Sequence, residues 1–585
     1  MISMKNLFLS LKKTDTIKVR GSIFMNENRD KNLLKIFLFA ITCINLLQGS
    51  FTELLPDEAY YYMYSTRLSW GYFDHPPMIA LLIKITETLS HSEIGVRLSC
   101  VLLNTATAYL IYQLAAPKNI RKFIFIYFNF IAFQALGFLA VPDTPLMFFT
   151  ALFLLAFQAF SNSQNLRNTL WLSLSCACLI YSKYHGFLVI GFAFLSNLSL
   201  LKKPLTYTVA IISIFLLAPH IYWELQNEFP SVKYHLAYRF DGGVKADNIF
   251  GYLGGQLAFI GPIGAYMLSK INFNIKNTSV LHRANVFVAF GFLLFFFAAA
   301  FNGRIEANWT AAAFIPFVVL ANEASEHLQY KFIKYAAITT FLLILPLRAY
   351  LIFDFLPVEM NYKLQRHGWK DWAEKVKEKA NGANVIFQDS YQKASMYTFY
   401  AEAFAHSPNS FGLRKNQYDI WSDMELHVQG KPALVFPNWE TNMFDSINNT
   451  KVFRKISCLH YNKYYCYTKA QFHFDKTSYQ IKQGDTLRLK LRITAPDYVY
   501  KTIDAEPSLQ TQLGYRVFFL NKDSMADFYT SYQMKPFLKP LSMEDFKDFN
   551  IENKSLPIGK YKLILFGKTG TLGIGICKPI DVEIN

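Results

Sequence analysis

Asp57-Glu58 sets two adjacent carboxylates at the end of the first apolar run, a place where charge near lipid is costly and usually marks a polar site. A shielded carboxylate gains basicity and can take a proton from a hydroxyl or amine nucleophile. Pro56-Asp57-Glu58 also reads as a helix cap or interfacial anchor at the start of a surface helix. Asp74-His75-Pro76-Pro77 offers a metal ligand or phosphate partner held by prolines, or a Pro-stopped loop with incidental polar residues. Asp143, in Val141-Pro142-Asp143-Thr144-Pro145, is explained by turn chemistry alone unless it lies near Asp57. Lys183 interrupts two apolar runs, where a cation binds a lipid phosphate or snorkels to the interface. His235 and Arg239, four residues apart, would face one target together on a helix, or form an ordinary surface pair.

The elements that must position these residues are membrane spans. The 585 residues are 52% hydrophobic and 17% aromatic, too apolar for one soluble globule and too polar for a chain wholly in the membrane. Apolar runs recur near 33–52, 95–115, 122–140, 145–160, 168–182, 186–201, 204–222, 249–268, 284–301, 309–321 and 332–353. This predicts about eleven transmembrane helices, several shorter than the roughly 20 residues of an untilted span. The net charge of +17 gathers in the N-terminal tail and short loops, where it sets topology, and no nucleic-acid-reading motif accompanies it.

Placing the basic tail in the cytoplasm puts Lys118, Arg121, Lys122, Arg167, Lys202, Lys203, Lys331 and Lys334 on the same side. The other face then collects Asp57, Glu58, Asp74, His75, Asp143, Lys183, His220, Glu224, His235, Arg239 and Asn308, and everything after about residue 356. Carboxylates, histidines and cations along one membrane face suit transfer chemistry on a substrate with a charged head and a lipid tail. The cations could stabilise a phosphate leaving group.

The loop 53–94 predicts short surface helices over Ala59–Leu68 and Pro77–Leu89, and 223–248, with Asp241-Gly242-Gly243, reads as a flexible gate. Beyond residue 360 the pattern predicts a small α/β unit, and from about 468 alternating strands resembling a β-sandwich. The expected organisation is a basic tail (1–32), a transmembrane catalytic domain (33–356), an extracytoplasmic α/β domain (357–467) and a β-sandwich-like domain (468–585). Cys458 and Cys466 are close enough in sequence for a hairpin-type disulfide in an oxidising compartment. The first apolar run follows a long basic tail and reads as a retained span, with Met25 as an alternative start.

Taken together, the Asp-Glu after the first span, Gly71-Tyr72-Phe73-Asp74-His75-Pro76-Pro77, the Pro-Asp-Thr-Pro turn, Ser182-Lys183-Tyr184 and Asn308-Trp309 resemble the bacterial polyprenyl-phosphate-dependent glycosyltransferases of GT-C fold. These are relatives of protein O-mannosyltransferases and of the lipid A aminoarabinose transferase. The resemblance covers about residues 33–360 and extends to about 400 through Gly368-Trp369 and Asp389-Ser390-Tyr391. It implies a polytopic helical enzyme of the inner membrane, with a polyprenyl-phosphate-linked sugar as donor and a lipid, glycan or protein as acceptor. By the same resemblance Asp57 is the catalytic base or acceptor-binding group, with Glu58 beside it, and Asp143 a second acid. His75, Lys183 and Arg239 would contact phosphate, and Asp74 with His235 would hold a divalent metal. His75 departs from the family, which carries a lysine there; a neutral imidazole is a weaker anion partner.

A transporter or flippase for lipid-linked sugars is the competing class. It predicts ionisable residues in mid-span and internal repeats, whereas here they cluster at span ends and no repeat is visible. A membrane-anchored binding protein would need only one or two spans.

Overall fold

The computed structural model describes residues 4–235, 244–271, 273, 278–410, 413–438, 444–466, 468–469, 471–494, 496–498, 501, 513–519, 547–552, 558–569, 572–575 and 580–585. The chain divides into two compact units, one of Met1–Leu54 with Tyr61–Phe355, the other of Leu55–Tyr60 with Leu356–Asn585.

The first unit is helical, and each of the eleven apolar runs falls largely in helix. Among the described residues, six helices are long and apolar enough to cross a membrane: Asn28–Phe51, Glu93–Ala115, Asp143–Asn162, Pro204–Gln226, Val280–Ala300 and Tyr330–Ile352. The protein is thus a multi-pass membrane protein. The remaining runs make shorter or broken helices, for local reasons. The run 122–140 divides at Phe130, whose extended backbone separates Ile120–Asn129 from Ile131–Leu136. The run 249–268 divides at Gly261-Pro262. There φ is +77°, and an added Cβ would meet the Asn129 carbonyl oxygen at 2.9 Å, so a glycine is required. Ala311–Ala324 is buried over nearly its whole length, which is why it is apolar on every face. The basic tail is continuous with the first span, in one helix Met4–Phe51.

Arg97 ties the first span to the next. Its fully buried guanidinium donates to the carbonyls of Gly49 (3.0 Å), Thr52 (2.6 Å) and Glu53 (3.0 Å). These belong to the last turn of the first helix and the residues after it, where carbonyls lack intrahelical partners and carry partial negative charge. The loop between the two helices contains the expected short helices, Pro56–Thr66 and Met78–Glu87.

In the second unit, helix Trp369–Ala380 packs its Trp369, Trp372 and Val376 face inward. β1 (Asn384–Phe387), β2 (Ala405–His406), β3 (Lys431–Phe436), β4 (Asp445–Asn448) and β5 (Lys455–Tyr464) form one sheet in the order β2-β1-β3-β5-β4. β1 runs parallel to β2 and β3, with helix Tyr391–Ala401 between β1 and β2 in sequence; β5 is antiparallel to β3 and β4.

The later strands are β6 (Gln471–Phe474), β7 (Ser478–Ile481), β8 (Thr486–Thr494), β9 (Leu513–Phe519), β10 (Lys547–Glu552), β11 (Gly559–Thr569), β12 (Leu572–Gly575) and β13 (Ile580–Ile584). They make a β10-β8-β6 sheet and a β12-β11-β13-β7 sheet in which β9 also pairs with β11. β7 joins β13 in parallel, a departure from all-antiparallel sandwich pairing.

One expectation fails. Cys458 and Cys466 are both free thiols. Cys458 lies within β5 and Cys466 just beyond its end, so extended chain separates them and no hairpin brings them together. The segment read as a gate, with Asp241-Gly242-Gly243, lies outside the described residues.

Replacing Arg97 with Met keeps the packing volume but strands three carbonyls. The expected loss is about 2–4 kcal/mol, read as a lower melting temperature in detergent. An unchanged melting temperature would remove the clamp from this account.

Candidate active site

Asp143 is the first residue of helix Asp143–Asn162, where the helix dipole favours a carboxylate. Lys183 caps the C-terminus of helix Leu166–Ser182 in extended conformation. The chain turns tightly just after it: a Cβ on Gly186 would sit 2.7 Å from the Leu179 carbonyl oxygen. Lys183 Nζ meets Asp143 Oδ1 at 2.7 Å, with both side chains buried. Asn308, in the turn Ala307–Thr310, donates from Nδ2 to Asp143 Oδ2 at 2.9 Å. That turn is fixed by Thr310 Oγ1 to Gln256 Oε1 (2.5 Å) and by buried Trp309 against the His185 ring. Both Asp143 oxygens are therefore engaged. An ammonium carries three donors, and Asp143 takes one of them.

A second cluster surrounds Asp74. Buried Asp74 accepts a bond from Tyr64 Oη to Oδ1 at 2.6 Å, and the Tyr64 ring stacks on Tyr72 at 4.1 Å. His75 Nε2 lies 3.1 Å from Tyr61 Oη. Tyr72 N–H donates to the His75 carbonyl, and Ser231 Oγ to the Tyr72 carbonyl, which fixes the turn. His235 Nε2 approaches the Asp74 backbone carbonyl at 3.1 Å, and its ring meets the Tyr184 ring at 5.3 Å.

Tyr184 Oη lies between His220 Nε2 (3.1 Å) and Glu224 Oε1 (3.2 Å). His220 Nδ1 donates to the Trp70 carbonyl at 2.7 Å, so in the neutral ring Nε2 is the acceptor. Glu224 Oε2 is buried with no protein partner among the described residues.

The structure thus joins Asp143 to Lys183, and Asp74 to His235. For a metal, Asp74 and His235 are neighbours, but the imidazole faces the Asp74 backbone and the carboxylate is held by Tyr64. Among the described residues no third His, Cys, Asp or Glu joins this pair to form a ligand cluster.

Asp57 is exposed on the first turn of helix Pro56–Thr66 and accepts a bond from Gln392 Nε2 at 3.0 Å. Along that helix Asp57, Tyr61 and Tyr64 follow an i, i+4, i+7 spacing and share a face. Glu58 is fully buried and accepts from the Leu55 N–H at 3.0 Å, the reach-back of an acid in the first turn to the residue that caps its own helix. Its observed bond is structural. Arg239 lies outside the described residues.

Sequence reasoning gave no role to Tyr61, Tyr64 or Tyr184, nor to the His220–Glu224 pair. The signal was present in the last case: two ionisable residues four apart at the end of an apolar run share one helix face.

Residues 74–223 match the family of dolichyl-phosphate-mannose-protein mannosyltransferases, a segment that includes Asp74, Asp143 and Lys183. The chain is 24% identical over 310 residues to the lipid A galacturonosyltransferase RgtD of Rhizobium johnstonii, covering 49% of this chain and 64% of that one. It therefore spans less than two thirds of that curated relative's length. Among solved structures, ArnT from Cupriavidus metallidurans in the apo state aligns at a TM-score of 0.56 and 11% identity, over 73% of this chain and 98% of its own. The same ArnT bound to undecaprenyl phosphate aligns at 0.52, with the same identity and coverage. The chain has the GT-C fold. ArnT is one solved protein whose fold it shares, over 98% of the ArnT chain.

Lys183→Met strands a buried carboxylate and is expected to cost about 3–5 kcal/mol. Adding Asp143→Asn should recover about 1–3 kcal/mol of that loss, measured by thermal denaturation in detergent. Purely additive losses would show that the pair is not coupled.

Proposed function

We propose that the protein is an inverting glycosyltransferase that moves a sugar from a polyprenyl phosphate carrier to an extracytoplasmic acceptor: lipid A, a glycan or a protein. The observation that carries this reading is the buried Asp143–Lys183–Asn308 network, whose two charged members lie in the segment matching the mannosyltransferase family. The lipid A galacturonosyltransferase RgtD and the complex of ArnT with undecaprenyl phosphate support the same substrate class. The protein would sit in the inner membrane with its N-terminus cytoplasmic and its C-terminal domains periplasmic, as the distribution of Lys and Arg favours.

In the proposed reaction the acceptor hydroxyl or amine gives its proton to Asp57. Its freed electron pair attacks the anomeric carbon from the face opposite the phosphate. The bond from that carbon to the phosphate oxygen breaks, and the pair leaves on the phosphate. Lys183, whose side chain is already oriented by Asp143, offers its remaining ammonium donors to that developing charge; orienting the donor in advance removes reorganisation from the barrier. Arg239 and His75 are assigned auxiliary phosphate contacts. Asp74 and His235, the pair that the resemblance assigns to a divalent metal, do not form a ligand set as they stand, and no step here requires a metal.

Mass spectrometry of lipid A, surface glycans and glycoproteins from a deletion strain tests the reaction. One sugar should disappear, return with the wild-type gene, and fail to return with Asp57→Asn, whose transfer should fall by about 100-fold or more. A deletion that loses no sugar sinks the function. Restoration by Asp57→Asn sinks only the assigned base.

A further inference from the structure

In the second unit, β2, helix Ser422–Val428 and the chain just beyond β5 bring His406, Glu425 and Cys466 together. One ligating atom from each lies within 4.8 Å of the others, and all three residues are buried. Neither Nδ1 nor Nε2 of His406 has a partner among the described residues. An imidazole buried in this way forfeits two hydrogen bonds, which is costly unless a ligand supplies a partner. Burial first, and Lys469 second, lower this imidazole to about 3, so it is neutral and its lone pair is available.

We propose that His406, Glu425 and Cys466 bind a divalent cation of the zinc class, which locks these three segments of the second unit together. The donor set is that of a zinc site: one imidazole nitrogen, one carboxylate oxygen and one thiolate sulfur, with a solvent oxygen completing four-coordination. Ordinary metal-ligand lengths of about 2.0–2.3 Å imply ligand separations of roughly 3.3–3.8 Å. Cys466 Sγ and Glu425 Oε2 are already 3.5 Å apart. The carboxylate is oriented from outside by the Tyr498 hydroxyl at 2.9 Å and by the Thr468 hydroxyl, the kind of outer support that holds metal ligands in place.

Charge balance points the same way. Lys469 Nζ donates to the Asp419 and Tyr418 carbonyls, and its charge acts on Glu425 first and on Asp419 second. With the sulfur as thiolate, Glu425, Asp419 and Cys466 together exceed the Lys469 charge by two negative charges, which one divalent ion neutralises. Without the ion, burial and the neighbouring Glu425 push the Cys466 thiol well up, so it keeps its proton. Binding therefore forms the metal-sulfur bond, breaks the S–H bond and releases that proton to solvent.

The test uses full-length protein in detergent, stripped with chelator and titrated with cobalt(II), followed by zinc loading and elemental analysis. Wild type should show the near-ultraviolet thiolate-to-cobalt band, and Cys466→Ser should lack it. Zinc content should fall by about one ion per chain in both Cys466→Ser and His406→Ala, whatever metal is bound elsewhere, and zinc should raise the melting temperature of wild type more than that of either variant. Absence of the thiolate band in wild type overturns the proposal without reference to variant folding. Equal zinc content in wild type and both variants also overturns it.

Discussion

The constraint on which the membrane unit depends is that no charge in an apolar surrounding stands alone. Asp143 and Lys183 meet this constraint together, at 2.7 Å and almost without solvent. Such a pair adds little net stability, because removing two ions from water costs about as much as their attraction returns. Its effect is geometric. One partner begins a helix and the other ends one, so the pair fixes the relative position of two helix termini and of the Asn308 turn. Arg97 meets the same constraint with carbonyl dipoles rather than a counter-ion. Arg348 meets it with the side-chain oxygens of Gln48, Asn45 and Gln134.

This arrangement shows how a buried cation can be held in one orientation beside a helix terminus. A lysine in open water would lose orientation, and an unpaired lysine in a dry pocket would lose its proton. Lys183 keeps its orientation, because the carboxylate it meets is itself held by an amide. The Asp74 cluster uses the same device with phenols: Tyr64 holds the carboxylate, Tyr61 meets the imidazole of His75, and Tyr72 braces Tyr64 through its ring and hydroxyl.

The apolar runs made the helical architecture legible, because a run of that length has few other ways to satisfy its backbone in lipid. The short helices after the first span and the strands at Val385–Phe387, Leu487–Ile493 and Tyr561–Phe566 were also legible, from their periodicity. Helix breaks at Phe130 and Gly261 were not, since they depend on what packs beside them. In the site, the acids and Lys183 stood out because charge beside an apolar run is conspicuous. Their tyrosine partners did not, because a tyrosine in a chain with 35 of them carries no signal until a carboxylate is placed opposite its hydroxyl. The Cys458–Cys466 expectation failed because spacing alone cannot distinguish a hairpin from a single extended strand.

Lys183 and Tyr184 are consecutive, yet they serve different partners: Asp143 on one side, His220 and Glu224 on the other. A single peptide unit is therefore the junction of two polar networks. Their spacing is set by covalent geometry rather than by packing, and neither network can be shifted alone. This stretch should tolerate exchange of side chains far better than any change in its length, since one residue gained or lost would carry each side chain away from its own partners.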